Sequence, residues 1–145
     1  MLKEFLRENN LINVNVKAKD WKEAVKCGTK LLVDAKIVED KYYDSIIEST
    51  EKYGPYYVIC PGVAMPHSRP EDGVIKNGVS IITLEEPINF GNASNDPVKI
   101  LITFAATDDD TQIDLIQDIV EVLSLEENVS KIQSAKTVED IFEVL

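Results

Sequence analysis

The sequence predicts an α/β domain with helices on both sides of a central sheet. Three observations carry that expectation. Amphipathic stretches of helical period cover residues 20–35 and 39–53. Short β-prone runs take over at residues 56–60, 63–65 and 79–84. Residues 98–106 then form a near-continuous apolar run, as in a strand buried on both faces. Helices and strands mixed in this way pack as layers around one core.

Taken in order, Leu2, Phe5 and Leu6 fall at helical spacing, with the turn ending near Asn9-Asn10. Ile12, Val14 and Val16 alternate with polar residues, the period of a half-buried strand. Asp20 followed by Glu23 reads as a capping-box variant opening a helix that buries Trp21, Ala24, Val25, Gly28, Leu31, Leu32 and Ala35. A second helix over 39–53 is expected to turn Tyr43, Ile46, Ile47 and Tyr53 inward and to stop at Gly54-Pro55. Asn77-Gly78 is a turn signal, and 87–96, rich in Asn, Gly and Pro, reads as a surface loop. Asp108-Asp109-Asp110-Thr111 precedes a helix carrying Ile113, Ile116, Ile119, Val120 and Leu123. Acidic residues there suit the positive end of a helix, and three consecutive aspartates do not match a calcium loop. Ser124-x-x-Glu127 and Thr137-x-x-Asp140 are expected to cap two short terminal helices.

Composition bounds the function. The 145 residues suit one domain, 1–145, with no linker or repeat inside it. The 26 acidic residues against 15 basic ones give a formal charge of -11, which disfavours nucleic acid and anionic membranes as partners. Cys27 and Cys60 form no C-x-x-C pair, and there is one histidine in the chain, so no metal site is expected. Both cysteines read as small buried hydrophobes. The charged N-terminus lacks a signal-peptide core and no apolar run reaches spanning length, so the expected location is cytoplasmic.

That one histidine, His67, sits in Pro61-Gly62-Val63-Ala64-Met65-Pro66-His67-Ser68-Arg69-Pro70. Pro66 and Pro70 stiffen the backbone and hold it extended. Arg69 supplies a planar cation suited to phosphate or carboxylate. From these features alone two readings stay open: a residue of no special role, or a preorganised site at a strand end. No nucleophile elbow, nucleotide-binding loop or dinucleotide fingerprint occurs, and no cofactor is expected. The remaining chemistry is that of the imidazole itself, a neutral nucleophile near pH 7 able to accept a phosphoryl group and pass it on.

The order of strand, Pro61-Gly62-Val63-Ala64-Met65-Pro66-His67-Ser68-Arg69-Pro70-Glu71-Asp72-Gly73-Val74, Asn77-Gly78, Asp96-Pro97-Val98 and buried strand resembles the mannitol/fructose-type enzyme IIA of the bacterial sugar phosphotransferase system. Tyr42-Tyr43-Asp44 and Gly54-Pro55-Tyr56 look most like its ascorbate-specific branch. The resemblance implies a three-layer α/β/α sandwich with a central mixed sheet, one enzyme IIA type-2 domain over 1–145. It implies that His67 takes phosphate on Nε2 from phospho-HPr and gives it to a cysteine of enzyme IIB, which serves the membrane enzyme IIC. Nδ1 would then be held by a hydrogen bond. Arg69 would stabilise the phosphoryl group. Many members carry a second histidine at the start of the helix after the last long strand; here alignment puts Gln112, which can donate an amide N–H but cannot exchange a proton near neutral pH. Val63, Met65 and Val74, apolar residues flanking His67, are either docking residues or core. Carbohydrate uptake, of ascorbate or a similar sugar acid, is the leading expectation; the alternative is a regulatory enzyme IIA-like protein of the nitrogen-related type.

Overall fold

The computed structural model describes residues 2–145, the side chains at 109, 111 and 115 excepted. Its elements run α1 (Leu2–Glu8), β1 (Ile12–Val16), α2 (Trp21–Asp34), α3 (Lys41–Tyr53), β2 (Val58–Cys60), β3 (Val63–Ala64), a 3-10 turn at Pro70–Asp72, β4 (Gly78–Ile88), β5 (Val98–Ala105), α4 (Asp109–Leu123), α5 (Glu126–Gln133) and α6 (Val138–Val144). The strands form one sheet in the order β1-β4-β5-β3-β2. It is mixed: β1 runs parallel to β4 and β3 parallel to β5, while β4–β5 and β2–β3 are antiparallel.

The two central strands explain the layers. Successive side chains of a strand point to opposite faces, and all of residues 78–84 and 100–105 are buried. Both faces are therefore covered, and the protein is an α/β sandwich with helices on the two sides of the sheet. On one face α2 comes unusually close. Ser80 Oγ donates to the Gly28 carbonyl at 2.8 Å, and a Cβ on Gly28 would stand 2.6 Å from Thr103 Oγ1. Only glycine fits there. Asp20 caps this helix, accepting from the Glu23 N–H at 2.9 Å.

The face of α3 differs from the sequence expectation. The buried residues are Tyr42, Ile46 and Thr50, while Tyr43 and Ile47 are half-buried and Tyr53 is 70% exposed. Both tyrosines at 42 and 43 are apolar enough for the core, and hydrogen bonding separates them. The Tyr42 hydroxyl finds backbone partners inside the fold, whereas the Tyr43 hydroxyl reaches only the Lys22 carbonyl at the rim, 3.3 Å away. Thr50 goes in because its Oγ donates to the Ile46 carbonyl and shares a bond with the Tyr57 hydroxyl. Gly54, at φ 84, ends the helix as expected.

Two further expectations are corrected, at Pro87 and at Ser124, and the buried side of α4 is defined. The strand β4 continues through Pro87 to Ile88 instead of giving way to a loop there. Pro87 lies where the β4–β5 register breaks, between Thr83 and Ile88, a place that tolerates a missing N–H. On α4, Ile113 and Val120 are 53% and 45% exposed, because at the helical repeat they project roughly 100–120° away from buried Ile119. Ser124 does not cap α5; its Oγ donates back to the Glu121 carbonyl, and Leu125 occupies the N-cap position. The capping box at Thr137 and Asp140 is present as predicted.

Candidate functional site

The short strand β3 delivers the histidine. Its pairing with β5 carries on past Ala64, since the Phe104 N–H donates to the Pro66 carbonyl at 3.2 Å. The chain then leaves the sheet, and His67 sits at the rim, half-buried. The imidazole lies on the Phe104 ring, with centroids 4.4 Å apart and planes 23° from parallel. The Tyr56 ring meets it edge-on at 5.8 Å. An aromatic floor and wall thus restrict the ring's tilt.

The ring's chemistry follows from one hydrogen bond. His67 Nδ1 is 2.9 Å from the Met65 carbonyl oxygen, which can only accept. The proton must therefore be on Nδ1, and the lone pair is on Nε2. Burial holds the imidazole below its ordinary pKa, and the Met65 carbonyl opposes that shift without cancelling it. The favoured form is neutral, with a nucleophilic Nε2.

Tyr42, buried beneath the site, fixes the backbone on the far side of the ring. Its hydroxyl accepts from the Ser68 N–H at 2.9 Å and donates to the Phe104 carbonyl at 2.7 Å. Burial pushes its phenol far up, so this hydroxyl stays protonated. Asp72, in the 3-10 turn that follows, gathers the next donors. One of its carboxylate oxygens accepts from Ser68 Oγ at 2.6 Å, the Arg69 N–H at 3.2 Å and Arg69 Nε at 3.4 Å. Burial alone would raise this carboxyl; the Ser68 and Arg69 donors outweigh it and hold the group below the usual carboxylate range. Arg69 also lies 3.5 Å from Glu71 and is largely exposed. In this state its guanidinium rests on carboxylates at the mouth of the site.

His67, Arg69 and Gln112 line one groove of about 1090 Å³, together with Tyr53, Tyr56 and Ser68. The three residues singled out from sequence are thus brought together. Val63 and Met65 are not available for docking, since both are buried in the core; Val74 is half-buried. The sequence reading missed Tyr42, Phe104 and Tyr56 as neighbours of the imidazole. A tyrosine pair at the start of a helix was the available signal for Tyr42, but periodicity favoured its neighbour. Among the described residues no group of three or more His, Cys, Asp or Glu side chains could hold a metal ion, and no helix is long and apolar enough to cross a membrane.

The site is thus a rim-mounted, tautomer-fixed imidazole beside an exposed arginine on an α/β sandwich. Residues 5–145 match the family model of the phosphoenolpyruvate-dependent sugar phosphotransferase system, EIIA 2, and the chain belongs to that family. Over 145 residues it is 44% identical to the ascorbate-specific PTS system EIIA component of Escherichia coli strain K12, covering 99% of this chain and 94% of that one. The corresponding component of Salmonella typhimurium is likewise 44% identical with the same coverage. Among solved structures, the mannitol-specific cryptic phosphotransferase enzyme IIA CmtB of E. coli superposes with a TM-score of 0.89 at 36% identity, over 99% of this chain and 97% of that one. The E. coli mannitol enzyme IIA, solved in complex with phosphorylated mannitol enzyme IIB, superposes with a TM-score of 0.80 at 26% identity, over 92% of each chain. The protein is a component of the sugar phosphotransferase system.

Proposed function

We propose that this chain is a phosphoryl carrier for uptake of ascorbate or a similar sugar acid, with His67 as the residue that bears the phosphoryl group. The observation that carries the reading is the Nδ1–Met65 carbonyl bond, which leaves Nε2 as the free nucleophile. The Nε2 lone pair forms the new N–P bond as the N–P bond to the donor's histidine, on HPr, breaks. Nδ1 keeps its proton, and the Met65 carbonyl faces the positive charge that the ring then acquires. In the second step the thiolate of an enzyme IIB cysteine forms an S–P bond, the Nε2–P bond breaks, and the neutral imidazole returns. Enzyme IIB then serves the membrane enzyme IIC. Such a loose transition state asks for alignment and dispersed positive charge. Arg69 supplies that charge by exchanging Asp72 and Glu71 for the phosphoryl oxygens, and Gln112, on the same groove, offers an amide N–H.

Two features favour this substrate branch and these partners. The relatives of highest identity given above are ascorbate-specific, and the mannitol homologue is seen bound to phosphorylated enzyme IIB. Tyr53 and Tyr56, both largely exposed, give the groove an apolar fringe for a protein surface. The test is incubation with enzyme I, HPr and labelled phosphoenolpyruvate. An acid-labile, alkali-stable label is expected on the chain, absent in His67→Ala and transferred on addition of the ascorbate-system enzyme IIB. Arg69→Ala is expected to slow labelling by roughly 10- to 1000-fold. A label persisting in His67→Ala would overturn the reading.

A further inference from the structure

We infer that Tyr42 is a positioning residue for His67, acting through its buried hydroxyl on both the backbone that leaves the imidazole and the strand residue under it. This inference rests on the phosphoryl-carrier reading above. The hydroxyl joins two segments 36 residues apart in sequence, Ser68 and Phe104. Ser68 is the residue after the nucleophile, and Phe104 is the ring on which the imidazole lies. From the other side, the Phe104 N–H holds the Pro66 carbonyl, and the Met65 carbonyl holds Nδ1. Backbone groups on both sides of His67 therefore lead back to Phe104 of β5, directly at Pro66 and through Tyr42 at Ser68.

The geometry explains why a hydroxyl is needed. Ser68 N–H and Phe104 C=O are a donor and an acceptor that do not bond each other, and a phenol O–H answers both at once, accepting from one and donating to the other. Tyr42 is fully buried, so no water takes over from outside. Without the hydroxyl the Ser68 amide and the Phe104 carbonyl each lose a partner, and the 67–69 segment is anchored only through the more exposed Asp72 contacts. Displacement of Nε2 by as little as an ångström lowers a transfer rate steeply, because in-line alignment supplies much of the catalysis.

The test compares Tyr42→Phe with Thr50→Val, which removes another buried hydroxyl from the same helix, one bonded to Ile46 and Tyr57 and not to the His67 segment. In labelling by phospho-HPr, Tyr42→Phe is expected to lower kcat about 10- to 100-fold with KM for HPr unchanged. Its imidazole nitrogen NMR spectrum is expected to lose the uniform Nδ1–H tautomer. Thr50→Val is expected to lower Tm while leaving kcat and the tautomer as they were. Wild-type kcat and tautomer in Tyr42→Phe, or an equal kcat loss in both variants, would overturn the inference. A measurement on the unaltered chain is independent of any variant's folding: the Ser68 amide proton is expected to exchange slowly, and exchange at the random-coil rate would also overturn it. His67→Ala is run alongside. If it keeps its label, the carrier reading fails; if it loses it while Tyr42→Phe transfers normally, only the role of Tyr42 fails.

Discussion

His67 is under two opposing influences, and their balance sets a pH window. Burial between Phe104 and Tyr56 disfavours the imidazolium, while the Met65 carbonyl favours it; burial prevails and the pKa lies below its ordinary value. As pH falls through about 6.5, the unfolded chain takes up this proton before the folded one does. The contribution of His67 to stability is therefore full above that value and declines as pH drops toward the folded pKa. The same shift keeps Nε2 nucleophilic below pH 6.5. An NMR titration of the His67 ring should give a midpoint under 6.5, and the acid limb of the labelling rate should follow it. A midpoint at or above 6.5 would mean that the carbonyl outweighs burial. Gln112, on the same groove, has an amide that does not ionise near neutral pH and adds no second ionisation to that limb.

At the scale of elements, Gly28 sets how closely α2 approaches the sheet. Gly28 lets the helix backbone approach Ser80 and Thr103, which face it from adjacent paired positions on β4 and β5. Thr103 Oγ1 has no hydrogen-bond partner among the described residues. Gly28→Ala would thrust a methyl group into that hydroxyl and is expected to destabilise the fold by about 1–3 kcal/mol, as overpacking does. In a Thr103→Ala background the same change is expected to cost less, and a denaturant double-mutant cycle measures the difference. Strict additivity would place the strain elsewhere. The sequence carried much of this architecture: β5 as a doubly buried strand, the Asp20 cap, the Gly54 stop and the rim position of His67 were all legible from local chemistry. The inward side of α3 was not, since Tyr42 and Tyr43 differ only in what their hydroxyls can reach across the fold. The same holds for Ser124, whose hydroxyl turned back to Glu121 in place of opening the next helix. Local pattern singled out His67; the contacts that hold its ring and the backbone beside it come from Tyr42, Tyr56 and Phe104, brought together only by tertiary folding.

For the molecule as a whole, the formal charge of -11 has two consequences of opposite sign in salt. Like charges spread over a small surface repel one another in the compact state, and added ions screen them. Against this, salt weakens exposed ion pairs such as Lys22–Glu51 and Lys30–Asp34, which solvent already screens. With 26 acidic groups and 15 basic ones, repulsion is the larger sum. Raising NaCl from about 10 to 200 mM at pH 7 should therefore raise Tm, over a range in which the screening length shrinks from about 30 Å to under 10 Å. Transfer from a basic partner should move the other way. Long-range attraction speeds its encounter with an acidic surface, so kcat/KM for that step should fall over the same salt range while kcat holds. A melting series and a transfer series on the same salt steps check both. A falling Tm would show that the local pairs outweigh the net charge. A transfer rate indifferent to salt would place the docking contacts in the apolar fringe of Tyr53 and Tyr56, and would leave the acidic surface with no part in recruiting partners.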